Sequence, residues 1–136
     1  MAMAPQSSKL WALFLWSEEV VMVKVEAVVV RDRVEAVMDA VEAATGHVGV
    51  TVLEAVGHGR QPGITHEYRG RVFESRFLPK ALLVFVVEDE LADAIVETVV
   101  ATARTGHESG DGIVWTTPVH GVRHNRTALP LEAVEA

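Results

Sequence analysis

Two glycine-rich stretches hold the residues best placed to do chemistry: G-H-G-R-Q-P-G at residues 57–63 and S-G-D-G at residues 109–112. Glycine lets backbone amides approach a phosphate with no Cβ in the way. Arg60 and Lys80 supply positive charge near the first stretch, the arginine with a planar fork suited to bidentate pairing. From Arg60 to Lys80 the basic residues are Arg60, Arg69, Arg71, Arg76 and Lys80, against Glu67 and Glu74. The whole chain has a formal net charge of −7, so this is a basic island in an acidic protein. Such an island suits a small anion or an acidic partner, and it also suits a solvated loop. Neither stretch is a G-x-x-x-x-G-K-[ST] phosphate loop or a G-x-G-x-x-G dinucleotide fingerprint. Each, read alone, is also what an ordinary turn looks like.

Other chemistries find less support. With no cysteine there is no disulfide framework, thiolate zinc site or cysteine nucleophile. Of six histidines, His47, His58, His66 and His107 fall in turns or in the glycine-rich region. His120 and His124 straddle Gly121, which does not make a helical metal face. No G-x-S-x-G nucleophile motif occurs. Asp111 sits between glycines, where a turn-forming or phosphate-side role competes with an acid or base role. Hydrolysis by Asp111 and the histidines would need an organised acid-base pair, and the sequence offers none. The acidic balance argues against general nucleic-acid binding, which needs a basic face.

The elements that position these residues follow from periodicity. A chain of 136 residues suffices for one domain, and 49% hydrophobic with 23% charged residues is an ordinary globular balance. Residues 23–30 are β-branched and apolar, with Lys24 and Glu26 on one face, and read as a strand. Asp32 is expected as a helix N-cap, with Glu35 completing a capping box. Val34, Val37, Met38, Val41 and Ala44 recur at helical spacing, and Gly46 supplies the stop. Residues 47–56 form a second β-rich run. Residues 57–76 lack a sustained apolar period, which makes them a long loop of a kind compact domains rarely carry unless it is functional or disordered. Residues 77–87 resume as a strand. Glu88, Asp89 and Glu90 then favour a helix start, Leu91, Ala94, Ile95 and Val99 continue it, and Gly106 is expected to end it. Residues 113–119 form the last strand, and residues 127–136 an irregular or lightly helical tail.

This order, strand-helix-strand, long loop, strand-helix-strand, is the α+β ferredoxin-like split β-α-β arrangement (βαββαβ), with two helices on one face of an antiparallel sheet. The other face has no cover within one chain, and its apolar strands predict burial against further subunits. Residues 1–21 form an extension in which the apolar run LWALFLW spans seven residues, well short of the roughly 20 a membrane span needs. No membrane insertion is expected.

At this level of detail the sequence resembles the PII signal-transduction family. The resemblance rests on VTVLEAVGHGRQPG, EYRG and FLPK between residues 50 and 80, on ARTGHESGDGIVW at 103–115, and on PVHGVRHNRT at 118–127. It covers residues 22–127 and leaves out residues 1–21 and the tail at 128–136. It implies a cytoplasmic homotrimer of ferredoxin-like subunits with a T-loop at about 57–76 and a B-loop at about 106–112. ATP or ADP, with AMP as a further candidate, would bind in clefts between subunits. With Mg2+ and ATP, 2-oxoglutarate would bind at the base of the T-loop. The loop would then select a target, a membrane transporter or an enzyme of nitrogen metabolism.

Position by position, the resemblance implies that Gly57, His58, Gly59 and Arg60 lie along the nucleotide phosphates. Gln61 matches a side-chain ligand of Mg2+, and Lys80 matches the lysine that pairs with 2-oxoglutarate. Gly110, Asp111 and Gly112 would cradle phosphate, Thr51 would approach adenine, and Arg126 would reach phosphate from the adjacent subunit. Tyr68, Arg69 and Gly70 lie where targets are met. Three positions depart from the family pattern. Phe73 replaces the modified tyrosine, Ile113 the lysine after G-D-G, and His124 one of two C-terminal arginines. The turn between Gly106 and Gly110 is also one residue longer. Losing two cations predicts weaker ATP binding. It also keeps open a PII-like sensor of ADP or AMP and another small metabolite such as bicarbonate, controlling a transporter or a carbon-metabolism target.

Overall fold

The computed structural model describes residues 22–59, 64–75, 77–106 and 110–131. The elements are β1 (Met22–Val30), α1 (Val34–Thr45), β2 (Thr51–Gly57), β3 (Ile64–Tyr68), β4 (Arg71–Ser75), β5 (Leu78–Glu88), α2 (Asp89–Thr102) and β6 (Ile113–Val119). Four of the strands form an antiparallel sheet in the order β2-β5-β1-β6. This is the expected ferredoxin-like arrangement.

Strict alternation builds the core. Val23, Val25, Ala27 and Val29 of β1 and Ala81, Leu83, Phe85 and Val87 of β5 are buried. They pack with Val37 and Val41 of α1 and Ala92, Ile95 and Val99 of α2 in one cluster. Alternate residues point to the opposite sheet face. There the register aligns Leu53, Leu82, Val28 and Ile113 in one row across all four strands. Leu53 and Ile113 are exposed, at 49% and 69%. The neighbouring row carries the polar exception. Glu26 pairs with Lys24 at 3.3 Å and accepts a hydrogen bond from Trp115 Nε1 at 3.0 Å.

Several boundaries differ from the sequence expectation, each for a local reason. Asp32 does not cap α1. A 3-10 turn at Arg31–Arg33 leads straight into the helix, the Val34 N–H bonds the Arg31 carbonyl, and no side chain caps the terminus. Gly46 ends α1 as expected, at φ 77°, with its N–H on Glu42 O at 2.8 Å. β2 starts only at Thr51, because the His47 ring turns onto Gly49 O at 2.6 Å and lies 6.1 Å from the Phe85 ring. α2 stops at Thr102, before Gly106. Arg33 Nε and Nη2 both donate to the Thr102 carbonyl, at 3.1 and 2.5 Å, and serve an acceptor the helix leaves open. Ala92 rather than Ala94 completes the buried stripe with Ile95 and Val99.

The long glycine-rich segment contains a β-hairpin. β3 and β4 pair from Ile64↔Ser75 to Tyr68↔Arg71. Arg69 and Gly70, both at positive φ (52° and 79°), make the two-residue turn. That geometry matches the twist of paired strands. After β6 the chain folds back on itself through His124 N–H to Leu129 O, Ala128 N–H to His124 O and Leu131 N–H to Val122 O, so residues 127–130 are irregular and tied down, Leu131 is in a 3-10 turn, and the rest of the expected tail, 132–136, lies outside the described residues. No helix among the described residues is long and apolar enough to cross a membrane.

Candidate anion-binding site

The sheet register brings the two glycine turns together. Lys80 of β5 stands opposite Ala55 of β2 and Val30 of β1, two residues before β2 ends at Gly57. Lys80 as a whole is 6% exposed, and its part-buried ammonium donates to Gly110 O at 2.5 Å. Burial pushes its pKa below the usual lysine range, and the negative charge of Asp111 opposes this in part. Asp111 Oδ1 accepts a hydrogen bond from Thr105 Oγ1 at 2.6 Å.

Gly112 is glycine for two reasons. Its φ is +95°, and a Cβ there would overlap the Val28 carbonyl. The turn therefore lies directly on the β1 backbone. Gly57 is glycine for space, because a Cβ would come within 2.9 Å of Lys80 Cγ and 3.1 Å of Cε. Arg31 fixes the surrounding backbone. Its Nε donates to Lys80 O at 3.2 Å and its Nη2 to Ala55 O at 2.8 Å. Beside the 110–112 turn a cavity of about 220 Å³ opens between β1, β6 and the end of α2, lined by Val28, Val99, Arg104, Asp111, Gly112 and Ile113 among others. His58 and Phe77 flank the segment that carries the hairpin, and their rings stack at a tilt 5.8 Å apart.

Of the residues singled out from sequence, Gly57, Lys80, Gly110, Asp111 and Gly112 thus form one cluster. His58 and Gly59 are exposed at its edge. Thr51 is exposed at the far end of β2, and Arg126 is exposed in the turn at residues 125–127, both outside the cluster. Arg69 and Gly70 are exposed at the hairpin tip, next to Tyr68 at the end of β3. Arg60 and Gln61 lie outside the described residues, so the magnesium ligand expected at Gln61 lies outside them too. Among the described residues no cluster of three His, Asp or Glu could hold a metal ion. Glycine turns beside one desolvated ammonium fit an anion better than a cation.

Sequence reasoning missed Arg31, Thr105 and the setting of His124. Arg31 and Thr105 act through long-range or loop hydrogen bonds that leave no periodic trace. His124 Nε2 is shut off from solvent with no hydrogen-bond partner among the described residues.

Fold and cluster together define a ferredoxin-like domain in which a buried lysine spans two glycine turns. The family profile for Nitrogen regulatory protein P-II matches residues 22–128. The chain is 43% identical over 106 residues to nitrogen regulatory protein P-II 2 of Methanothermobacter thermautotrophicus, covering 78% of this chain and 90% of the relative. P-II proteins of Microchaete diplosiphon (43% identical) and Nostoc punctiforme (42% identical) match over the same 78% of this chain and 93% of their own length. The chain therefore belongs to the nitrogen regulatory protein P-II family, whose members are signalling regulators rather than enzymes.

Proposed function

We propose that this protein is a cytoplasmic homotrimeric regulator that binds ATP or ADP in clefts between subunits. With Mg2+ and ATP it takes up 2-oxoglutarate and changes the hairpin segment that meets a target of nitrogen metabolism. The observation carrying this reading is the convergence of Gly57, Lys80 and the 110–112 turn on one spot, with Gly112 seated against the Val28 carbonyl. Exposed backbone donors beside a lysine can hold phosphate oxygens. Gln61 would offer an amide oxygen to magnesium, a hard cation that prefers oxygen. Thr51 and Arg126, exposed and outside the cluster, suit contacts made across a subunit boundary. The apolar row Leu53, Leu82, Val28 and Ile113 supports a copy of the chain as the cover for the open sheet face.

A second reading has its own observation. Ile113, 69% exposed, occupies the position after Gly112 where the family resemblance implies a lysine, and His124 replaces an arginine. This favours ADP or AMP over ATP, with another small metabolite such as bicarbonate as effector. Calorimetry on the full chain with ATP, ADP and AMP, each with and without Mg2+ and 2-oxoglutarate, separates the two. Heat from 2-oxoglutarate only at saturating Mg-ATP supports the first reading. No such heat, or equal heat with ADP, sinks it in favour of the second. No heat with any nucleotide removes both.

A further inference from the structure

The root of the hairpin and the 110–112 turn meet at one side chain. We propose that Lys80 is a mechanical link through which the position of Gly57, where the chain leaves the sheet toward the hairpin, sets the conformation of the 110–112 turn. Its consequence for ligands rests on the function proposed above, whereas the link itself belongs to the ligand-free chain.

The Lys80 backbone has little room to move. β5 is an inner strand, paired to β1 at Val30 and to β2 at Ala55. Arg31 holds the Lys80 and Ala55 carbonyls with one guanidinium. A displacement arriving from Gly57 must therefore pass into the Lys80 side chain. That side chain lies along Gly57 closely enough that a Cβ would meet both its Cγ, at 2.9 Å, and its Cε, at 3.1 Å. Gly57 is not in the left-handed region, so space and not backbone conformation explains the glycine.

The far end of the side chain meets the other turn. The ammonium donates to Gly110 O at 2.5 Å. The rest of that turn is anchored separately, Asp111 by Thr105 and Gly112 against Val28. Gly110 is thus the part of the turn whose placement depends on Lys80. A partly buried ammonium needs hydrogen bonds to offset the hydration it has lost, so the contact is not one the side chain gives up freely. An anion drawn to Lys80 at the hairpin root would compete with the Gly110 carbonyl. Occupancy at one turn would then be felt at the other.

Amide NMR of the ligand-free full-length protein tests the link. The Gly110 carbonyl shares a peptide unit with the Asp111 N–H, so loss of its hydrogen bond moves the Asp111 resonance. Gly57→Ala crowds the stem of Lys80, and Lys80→Met keeps a stem but removes the ammonium. Each single variant is expected to shift the Asp111 amide resonance, because the hydrogen bond to the Gly110 carbonyl is lost or displaced. The double variant should match Lys80→Met alone at Asp111, because a crowded methionine stem has no ammonium to draw away from the Gly110 carbonyl. Unchanged Val25 and Leu83 amides would show the sheet intact. The proposal is overturned if Gly57→Ala leaves Asp111 unmoved, or moves it equally with and without Lys80. Saturating ADP extends the test: it should perturb amides at both turns in the wild type, but only at residues 110–112 in Lys80→Met. Failure of ADP to bind would count against the nucleotide reading, while the ligand-free comparison would still decide the link.

Discussion

Gly112→Ala is the substitution whose cost the structure defines best. Alanine must adopt φ near +95°, a left-handed conformation that costs a non-glycine residue about 1–2 kcal/mol. Its methyl group must also find room where the Val28 carbonyl stands. That neighbour is backbone, in a strand paired on both sides, so it cannot swing away as a side chain could. Forcing extra volume into a packed region costs a further 1–3 kcal/mol or so. The expected loss is about 2–5 kcal/mol, a large part of the roughly 5–15 kcal/mol that holds a domain folded. Gly121→Ala isolates the first contribution, because Gly121 has φ +70° and, among the described residues, no atom within 4 Å of where the new methyl group would sit. It should cost only about 1–2 kcal/mol. Urea unfolding of both variants at one protein concentration gives the comparison. If Gly112→Ala is no less stable than Gly121→Ala, the close seating of this turn on β1 is wrong.

Arg33→Ala removes two hydrogen bonds to the Thr102 carbonyl at the end of α2 and should cost about 1–2 kcal/mol in urea unfolding, since the pair is only part-buried. Lys80 gives a pH dependence with a definite sign. Its folded pKa is lowered by burial, so the unfolded chain holds more protons between the folded value and the ordinary lysine value of about 10.4. Wild-type stability should therefore rise relative to Lys80→Met as pH climbs through that window, and a flat difference would contradict the desolvated lysine. Ile113→Asp puts a charge in the exposed apolar row and should lower the mass seen by light scattering toward that of one chain, while circular dichroism keeps the helix and strand content.

Element order and core were legible because the β1 and β5 alternation and the helical spacing of Val37, Val41, Ile95 and Val99 are carried by many residues at once. Gly46 was legible as a stop because a left-handed C-cap has a strong local preference. Asp32 misled because the capping rule sees only nearby residues, whereas α1 starts from a 3-10 turn whose flanking arginines reach Ala55, Lys80 and Thr102. The hairpin escaped notice because each of its strands is five residues long and only Arg69-Gly70 marks its turn. Within the site, Gly57 and residues 110–112 were visible as glycine patterns. Their meeting at Lys80 was not, since it depends on how β2, β5, β1 and β6 line up.

That alignment also constrains the order in which the molecule is made. β1 is among the first described parts of the chain to be synthesised and β6 among the last, yet Val28 pairs with Ile113 and receives Gly112 beside it. Contacts this distant in sequence are slow to form because a long loop must close before they contribute. Until β6 arrives, one side of β1 is an open edge able to pair with another chain. The 110–112 turn cannot take its place before then. A chain cut short ahead of Ile113 would leave β1 as an edge and the 110–112 turn without its anchor, so β1 is covered and the turn is seated in the same step.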